Sequence, residues 1–115
     1  VIMKQSLPLL KLTLTATAAI VANRFVTGAG AQTGAAGNAL GVAETAAAIG
    51  EKLPVDVIGT AIVEAGAAIA ANALVEADAS GRAVTKSAGV TLGRLAPGES
   101  AAAAGQLIEV ILAFN

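Results

Sequence analysis

The sequence predicts an all-β protein: a small single-domain β-sandwich or barrel built from short strands, with an extended N-terminal arm. Three observations predict it. Apolar residues recur with period two in several segments, the mark of strands with alternating faces. Glycine cuts every alanine run before it reaches the roughly 12 residues an isolated helix needs. Turn residues separate the apolar segments at short intervals, and no long amphipathic helix intervenes.

Taken in order, Val1–Leu9 has few charges and an early proline, and it reads as an arm, with a frayed terminus as the alternative. The domain proper then runs over 10–115. Leu10, Leu12, Leu14 and Ala16 alternate with Lys11, Thr13, Thr15 and Thr17, a pattern that suits a strand and not a secretory signal. Arg24–Thr27 and Leu40–Ala43 follow as short strands around a glycine-rich connection. Val55 to Ala65 sets Val55, Val57, Gly59, Ala61, Val63 and Ala65 against Asp56, Ile58, Thr60, Ile62 and Glu64. Isoleucines on its polar side predict a strand covered on both faces over its middle. Leu74–Ala77 and Arg82–Thr85 flank Asp78-Ala79-Ser80-Gly81, where Asp can bond its local backbone and Gly can take positive φ, so they form a hairpin. Thr91–Leu95 is a further strand. In the last one Ile108, Val110, Leu112 and Phe114 oppose Leu107, Glu109, Ile111 and Ala113.

The alanine segments are read as connections. Leu40 to Ile58 and Leu92 to Ile111 echo each other: a strand, an Ala-rich link, Gly plus a polar residue, then a strand carrying an acid. The spacing after the glycine differs by two residues, so chance in an alanine-rich chain competes with a true repeat.

Composition removes most chemistry. The 115 residues include no His, Cys, Trp or Tyr, so the usual neutral-pH proton carrier and the soft-metal ligands are missing. Hydrophobic residues make up 56% and charged ones 13%, which predicts apolar surface hidden against another chain. Seven scattered cations and a net charge of −1 offer no phosphate-tracking groove, so no nucleic acid is expected. The longest charge-free stretch, Phe25–Ala43, is too polar for a membrane span. Gly28-Ala29-Gly30-Ala31-Gln32-Thr33-Gly34 misplaces the third glycine of a dinucleotide fingerprint and precedes no helix pattern. Asp56 and Glu64 share a strand face about 27 Å apart, whereas glycosidase carboxyls lie within about 10 Å. Glu76 and Asp78 suit a solvated turn better than a calcium site, and Lys86 and Ser87 point to opposite faces. A carboxylate hydrolase would require two of the eight acids to meet in one pocket. No catalytic residue, metal ligand or cofactor is expected.

Several segments in fixed order carry a family resemblance. They are Ala22-Asn23-Arg24-Phe25-Val26-Thr27, Ala39-Leu40-Gly41-Val42-Ala43, and Pro54-Val55-Asp56-Val57-Ile58-Gly59-Thr60-Ala61. Ala77-Asp78-Ala79-Ser80-Gly81-Arg82-Ala83-Val84, Gly93-Arg94 and the closing Gly105-Gln106-Leu107-Ile108-Glu109-Val110-Ile111-Leu112 continue the series. From about Leu10 onward the chain resembles the tailed-phage head decoration, or capsid cement, proteins. The resemblance implies a β-rich structural virion protein with no catalytic residues. Such a protein binds the outer surface of an assembled head, made of the major capsid protein, and stabilises it against internal DNA pressure. It implies a homo-oligomer, a trimer at threefold lattice positions, made in the host cytoplasm.

On that footing the candidate contact residues are Lys4, Leu7 and Leu9 in the arm, together with Arg24 and Phe25. Arg and Phe are enriched at interfaces, while core burial is the competing assignment for Phe25. A self-assembling fibre, pilus or tail module is the alternative function.

Overall fold

The computed structural model describes residues 6–113. Lys4, most of the arm and Phe114 lie outside the described residues. Eight strands appear and no helix among the described residues: β1 (Pro8–Thr15), β2 (Phe25–Val26), β3 (Gly41–Ala43), β4 (Lys52–Glu64), β5 (Leu74–Ala77), β6 (Ala83–Thr85), β7 (Gly93–Leu95) and β8 (Leu107–Leu112). They join in one antiparallel network in the order β2-β3-β4-β8-β7-β5-β6, with β1 on β4. The chain is mainly β, as the period-two pattern predicts, and the alanine runs are connections.

Strand β4 organises the network. Its first part pairs with β1, from Leu12↔Val55 to Thr15↔Lys52, and with β3 through Val42↔Asp56 and Ala43↔Val55. Its second part pairs with β8, from Thr60↔Ile111 to Glu64↔Leu107. The change of partner occurs at Gly59, whose φ of +107° L side chains rarely adopt; a Cβ there would land on the Leu7 carbonyl oxygen. The β1 register shifts opposite this point, at Leu10.

The two parts of β4 belong to two equivalent halves. In the first, Leu12↔Val55 and Leu14↔Leu53 match Ala61↔Val110 and Val63↔Ile108 in the second. Phe25↔Val42 and Val26↔Gly41 match Leu74↔Arg94 and Val75↔Gly93. The isolated bridge Ile20↔Ala47 matches Ile69↔Ala101. Even the link caps coincide: Ala48 N donates to Glu51 Oε1 and Ala102 N to Gln106 Oε1, both at 2.7 Å. Asn23 and Asn72 share a left-handed φ, at 63° and 64°.

The weak echo in the sequence is therefore a structural repeat, and the apparent two-residue discrepancy has a simple origin. Matching β-branched runs sets Val55 against Ile108. Matching the turn glycines Gly50 and Gly105 sets Leu53 against Ile108, and the spacing then agrees. Pro54 hides the start of β4 in the sequence, because proline weakens any strand assignment.

Each half has its own core. Ala16, Ile20, Val26, Ala43, Ala47, Leu53 and Val55 fill the first. Their counterparts Ala65, Ile69, Val75, Leu95, Ala101, Ile108 and Val110 fill the second. Phe25 and Val42, although from the first half, join the second core. The polar side of β4 departs from its hydropathy: Asp56 is buried, Ile62 half-buried and Ile58 partly exposed. In β8, Ile108 and Val110 are buried, while Leu107 and Ile111 remain exposed.

The equivalence yields a paired prediction. Gly41 and Gly93 occupy matching positions, and a Cβ on either would strike a β-strand carbonyl, that of Asp56 or Ile111. Backbone cannot yield as a flexible side chain can. Gly41→Ala and Gly93→Ala should each cost about 1–3 kcal/mol in denaturant unfolding. Gly28→Ala, with nothing within 4 Å of its Cβ, should stay within about 0.5 kcal/mol of the parent.

Candidate functional site

Three places on this scaffold could carry function: the edge strand β1, the junction between the halves, and a small polar cleft beside both. Among the described strands, β1 pairs with β4 alone, so its other edge is unpaired by them. Apolar side chains on it and just before it are poorly covered: Leu9 is 81% exposed, and Leu7, Leu10 and Leu12 are also exposed. Ile58, opposite Leu10, extends this apolar strip. Leu7 is nonetheless anchored by its backbone, its N–H donating to Thr60 Oγ1 at 2.9 Å and its carbonyl accepting from Thr60 N at 3.2 Å.

Arg24 and Phe25 lie elsewhere, at the junction. Arg24 Nε and Nη2 donate to Glu64 Oε1 at 3.3 and 3.1 Å, and Nη1 donates to the Ser80 carbonyl at 3.1 Å. Phe25 is 1% exposed, so its side chain is core and offers no surface. Its N–H donates to the Gly81 carbonyl at 2.7 Å, and Gln32 Nε2 reaches the Ser80 carbonyl at 3.0 Å. The hairpin turn Asp78–Gly81 thus grips the first half. Asp78 shapes it, its Oδ1 accepting from Ser80 N at 2.8 Å and Arg82 N at 2.9 Å. The structure places Leu9 on β1 and Leu7 just before it, and Arg24 with Phe25 in a separate internal clamp.

The other acids singled out by sequence have backbone duties. Glu76 Oε1 accepts from Ser87 N at 2.7 Å and Gly89 N at 2.9 Å, and these bonds hold its carboxyl below the ordinary range. Lys86 Nζ donates to the Ser87 carbonyl at 3.1 Å, the side chains of Lys86 and Ser87 forming no dyad.

The cleft is where two acids meet. Ser6, Asn23, Val42, Ala43, Glu44, Asp56 and Ile62 line a cavity of about 110 Å³. Asp56 is only 2% exposed. Burial first, then hydrogen bonding with Glu44 and the charge of Glu44, push its carboxyl up to about 7. Glu44 moves the opposite way, lowered by hydrogen bonds to Asp56 and to Lys11, with which it forms an ion pair. Ser6 Oγ donates to Asp56 Oδ2 at 3.3 Å, and Oδ1 has no donor among the described residues. One proton held on Asp56 lets the two carboxyls bond each other; losing it leaves two anions in contact against a single lysine.

This is the acid pair a hydrolase would require, and its geometry argues for structure. Carboxyls bonded to each other leave no room for a scissile bond between them, and ligand pockets span about 300–1,000 Å³. The pair was hidden in the sequence because Glu44 sits in the link after β3. Only the register Val42↔Asp56 carries it to the cleft.

The pH consequence follows in sign. The folded-state pKa of Asp56 lies above its unfolded value of 3.8, so the native state holds the extra proton between about 4 and 7. Stability from this group is complete below that window and is lost as pH rises through it. The lowered carboxyls of Glu44, Glu76 and Asp78 act below it, in the opposite direction. Thermal melts from pH 4.5 to 8 should show the melting temperature falling, and Asp56→Asn should flatten that slope.

Comparison with known proteins fits this scaffold of contacts. No curated protein matches the chain. Among solved structures, it is similar to the head fiber gp8.5 N base in bacteriophage phi29, with a TM-score of 0.75 and 18% identity. That match covers 90% of this chain and 93% of the other, and it shows a shared fold. The phage cement protein family matches residues 4–112, a span that takes in both halves. The chain belongs to the phage cement protein family and is a capsid-decorating structural protein of the virion.

Proposed function

We propose that this protein clamps the outer surface of an assembled phage head, binding the major capsid protein as a homo-oligomer, a trimer, and reinforcing the shell against packaged DNA. The role is mechanical: the chain acts as a rigid body with many contacts and performs no catalysis. The observation that carries this reading is the leucine-rich edge of β1. An edge strand with unpaired backbone groups and exposed leucines is an aggregation hazard in a free-standing protein, and soluble proteins blunt such edges. Here the edge is kept, which suits a surface that a partner covers by strand addition or apolar packing. Each protomer's contact can be weak, because several engage the lattice together.

In this reading Val1–Leu9 is the arm that reaches the shell or a neighbouring protomer. Its last residues are tied to Thr60 and Gly59 through Leu7 and Pro8. The exposed side chains of Leu7 and Leu9 are free to meet a partner. A second reading, the base of a fibre, is favoured by the fold shared with the head fiber base. A fibre module would polymerise by itself, whereas a cement protein stays a small oligomer until capsids are supplied.

The test compares the parent with a Leu7→Ser/Leu9→Ser double variant and with a chain lacking Val1–Leu9, by co-sedimentation with undecorated capsids. The double variant should keep its melting temperature within a few degrees and bind at least about tenfold more weakly, which is 1.4 kcal/mol. The loss should appear mainly in the off-rate. Equal binding by all three proteins would refute the contact. A collapsed melt of the truncated chain alone would make Val1–Leu9 part of the fold.

A further inference from the structure

Three positions of one row are buried in the first half and open in the second. In the first half Phe25, Val42 and Asp56 stand in register across β2, β3 and β4, and Lys11 of β1 continues the row. All three are at most 2% exposed. The matching row in the second half is Leu74, Arg94 and Ile111 across β5, β7 and β8, continued by Thr60. There Leu74 is 38% exposed, Ile111 42%, and Arg94 is exposed.

Phe25 and Val42 of the first row are closed by the second half, whose leading strand takes part. Phe25 and Val42 pack in one cluster with Ala61 and Val63 of β4 and with Ala65, Leu92 and Leu95 of the same half. Glu64 N donates to the Asn23 carbonyl at 2.9 Å, and the Arg24–Glu64 pair locks the seam. The strand equivalent to this part of β4 is β1, where Leu12 and Leu14 stand for Ala61 and Val63. Ala61 and Val63 are fully buried, but Leu12 is 42% exposed and Leu14 half-buried. Every chain therefore carries both sides of the same junction in unfilled form, the row at one end and the covering strand at the other.

We propose that a second copy of this chain fills the junction: the β1 strand of one protomer, through Leu12 and Leu14, covers the Leu74–Arg94–Ile111 row of its neighbour. The contact is heterologous, head to tail, and closes into a ring when the rotation permits. The interface has an internal precedent, since Phe25 and Val42 already share a core with Ala61 and Val63 within each chain. Two differences set the contact between copies apart. Ala73 and Thr15 replace the Arg24–Glu64 clamp, so its attraction is mainly apolar. The covalent continuity of β4 is also absent, which frees the docking angle from the one inside the chain.

The proposal rests on the homo-oligomer reading above, and the experiment separates the two. Light scattering first fixes the mass of the parent protein. Leu12→Glu then spoils the covering strand, and Ile111→Glu spoils the row. Each variant should run as an 11.0 kDa monomer with an unchanged β-type circular dichroism spectrum. Mixed in equal amounts at high concentration they should form a dimer and nothing larger, because only one intact row and one intact strand remain. A self-complementary interface would give no such rescue. Leu74→Glu replaces Ile111→Glu should the latter lose its β signal. An oligomeric parent whose variants keep the parent mass, or whose mixture stays monomeric, overturns the head-to-tail contact alone. A monomeric parent overturns the oligomer reading and this contact together.

Discussion

The rest of the structure depends on one strand serving two cores. The first part of β4 closes the core around Leu53 and Val55; the second part, past Gly59, closes the core around Ala61 and Val63. The halves share covalent backbone at the bend, so neither can shift without dragging a strand out of the other. Phe25 strengthens the coupling by crossing from the first half into the second core. Removing such an aromatic side chain from a core typically costs about 3–5 kcal/mol. In a chain whose cores are largely alanine and valine, that is a large share of the whole.

Small side chains explain how 115 residues can form two cores at all. Alanine at 16, 43, 47, 65, 77, 83 and 101 lets backbone segments approach closely, and the interior is closed by backbone hydrogen bonds between links as much as by side chains. Ile20 and Ala47 bond each other in both directions, and so do Ile69 and Ala101. Each buried alanine removes little apolar surface from water, about 25 cal/mol per Å². The hydrogen bonds must then be nearly complete, since an unpaired buried donor costs about 1–3 kcal/mol. Among the described side chains Glu44 Oε2 and Asp56 Oδ1 lack a hydrogen-bond partner; Lys11 neutralises the first and a retained proton serves the second.

What could be read from the sequence was what local periodicity encodes. The alternation in Leu10–Thr17 and Val55–Ala65, and the Asp78–Gly81 turn, are visible because side-chain direction and turn chemistry are local properties. Strand ends were harder. Pro8 begins β1 and Pro54 lies within β4, both at places where proline argues against a strand. The glycine-rich stretch from Gly28 to Gly37 contributes only a bridge, Val26↔Gln32, so most of it has no periodic signal to find. Site residues split along the same line. Leu7 and Leu9 stand out as apolar residues in an edge segment. Arg24 cannot be assigned without knowing that Glu64, forty positions later, lies beside it. The Glu44–Asp56 pair depends on register alone.

The repeat shows why equal positions need not have equal fates. Phe25 and Leu74 occupy the same place in their halves, as do Val42 and Arg94, or Asp56 and Ile111. Burial follows the neighbour and not the residue type. Asp56 is buried in a cleft walled by Ser6, Glu44 and Ile62, whereas Ile111 is 42% exposed. A hydropathy reading assigns those two residues the wrong way round, since it has no knowledge of what lies opposite. The inversion marks the seam of the molecule. Where an acid is sealed in and its isoleucine counterpart is left open, the fold has spent its one internal junction and still presents the surfaces for another.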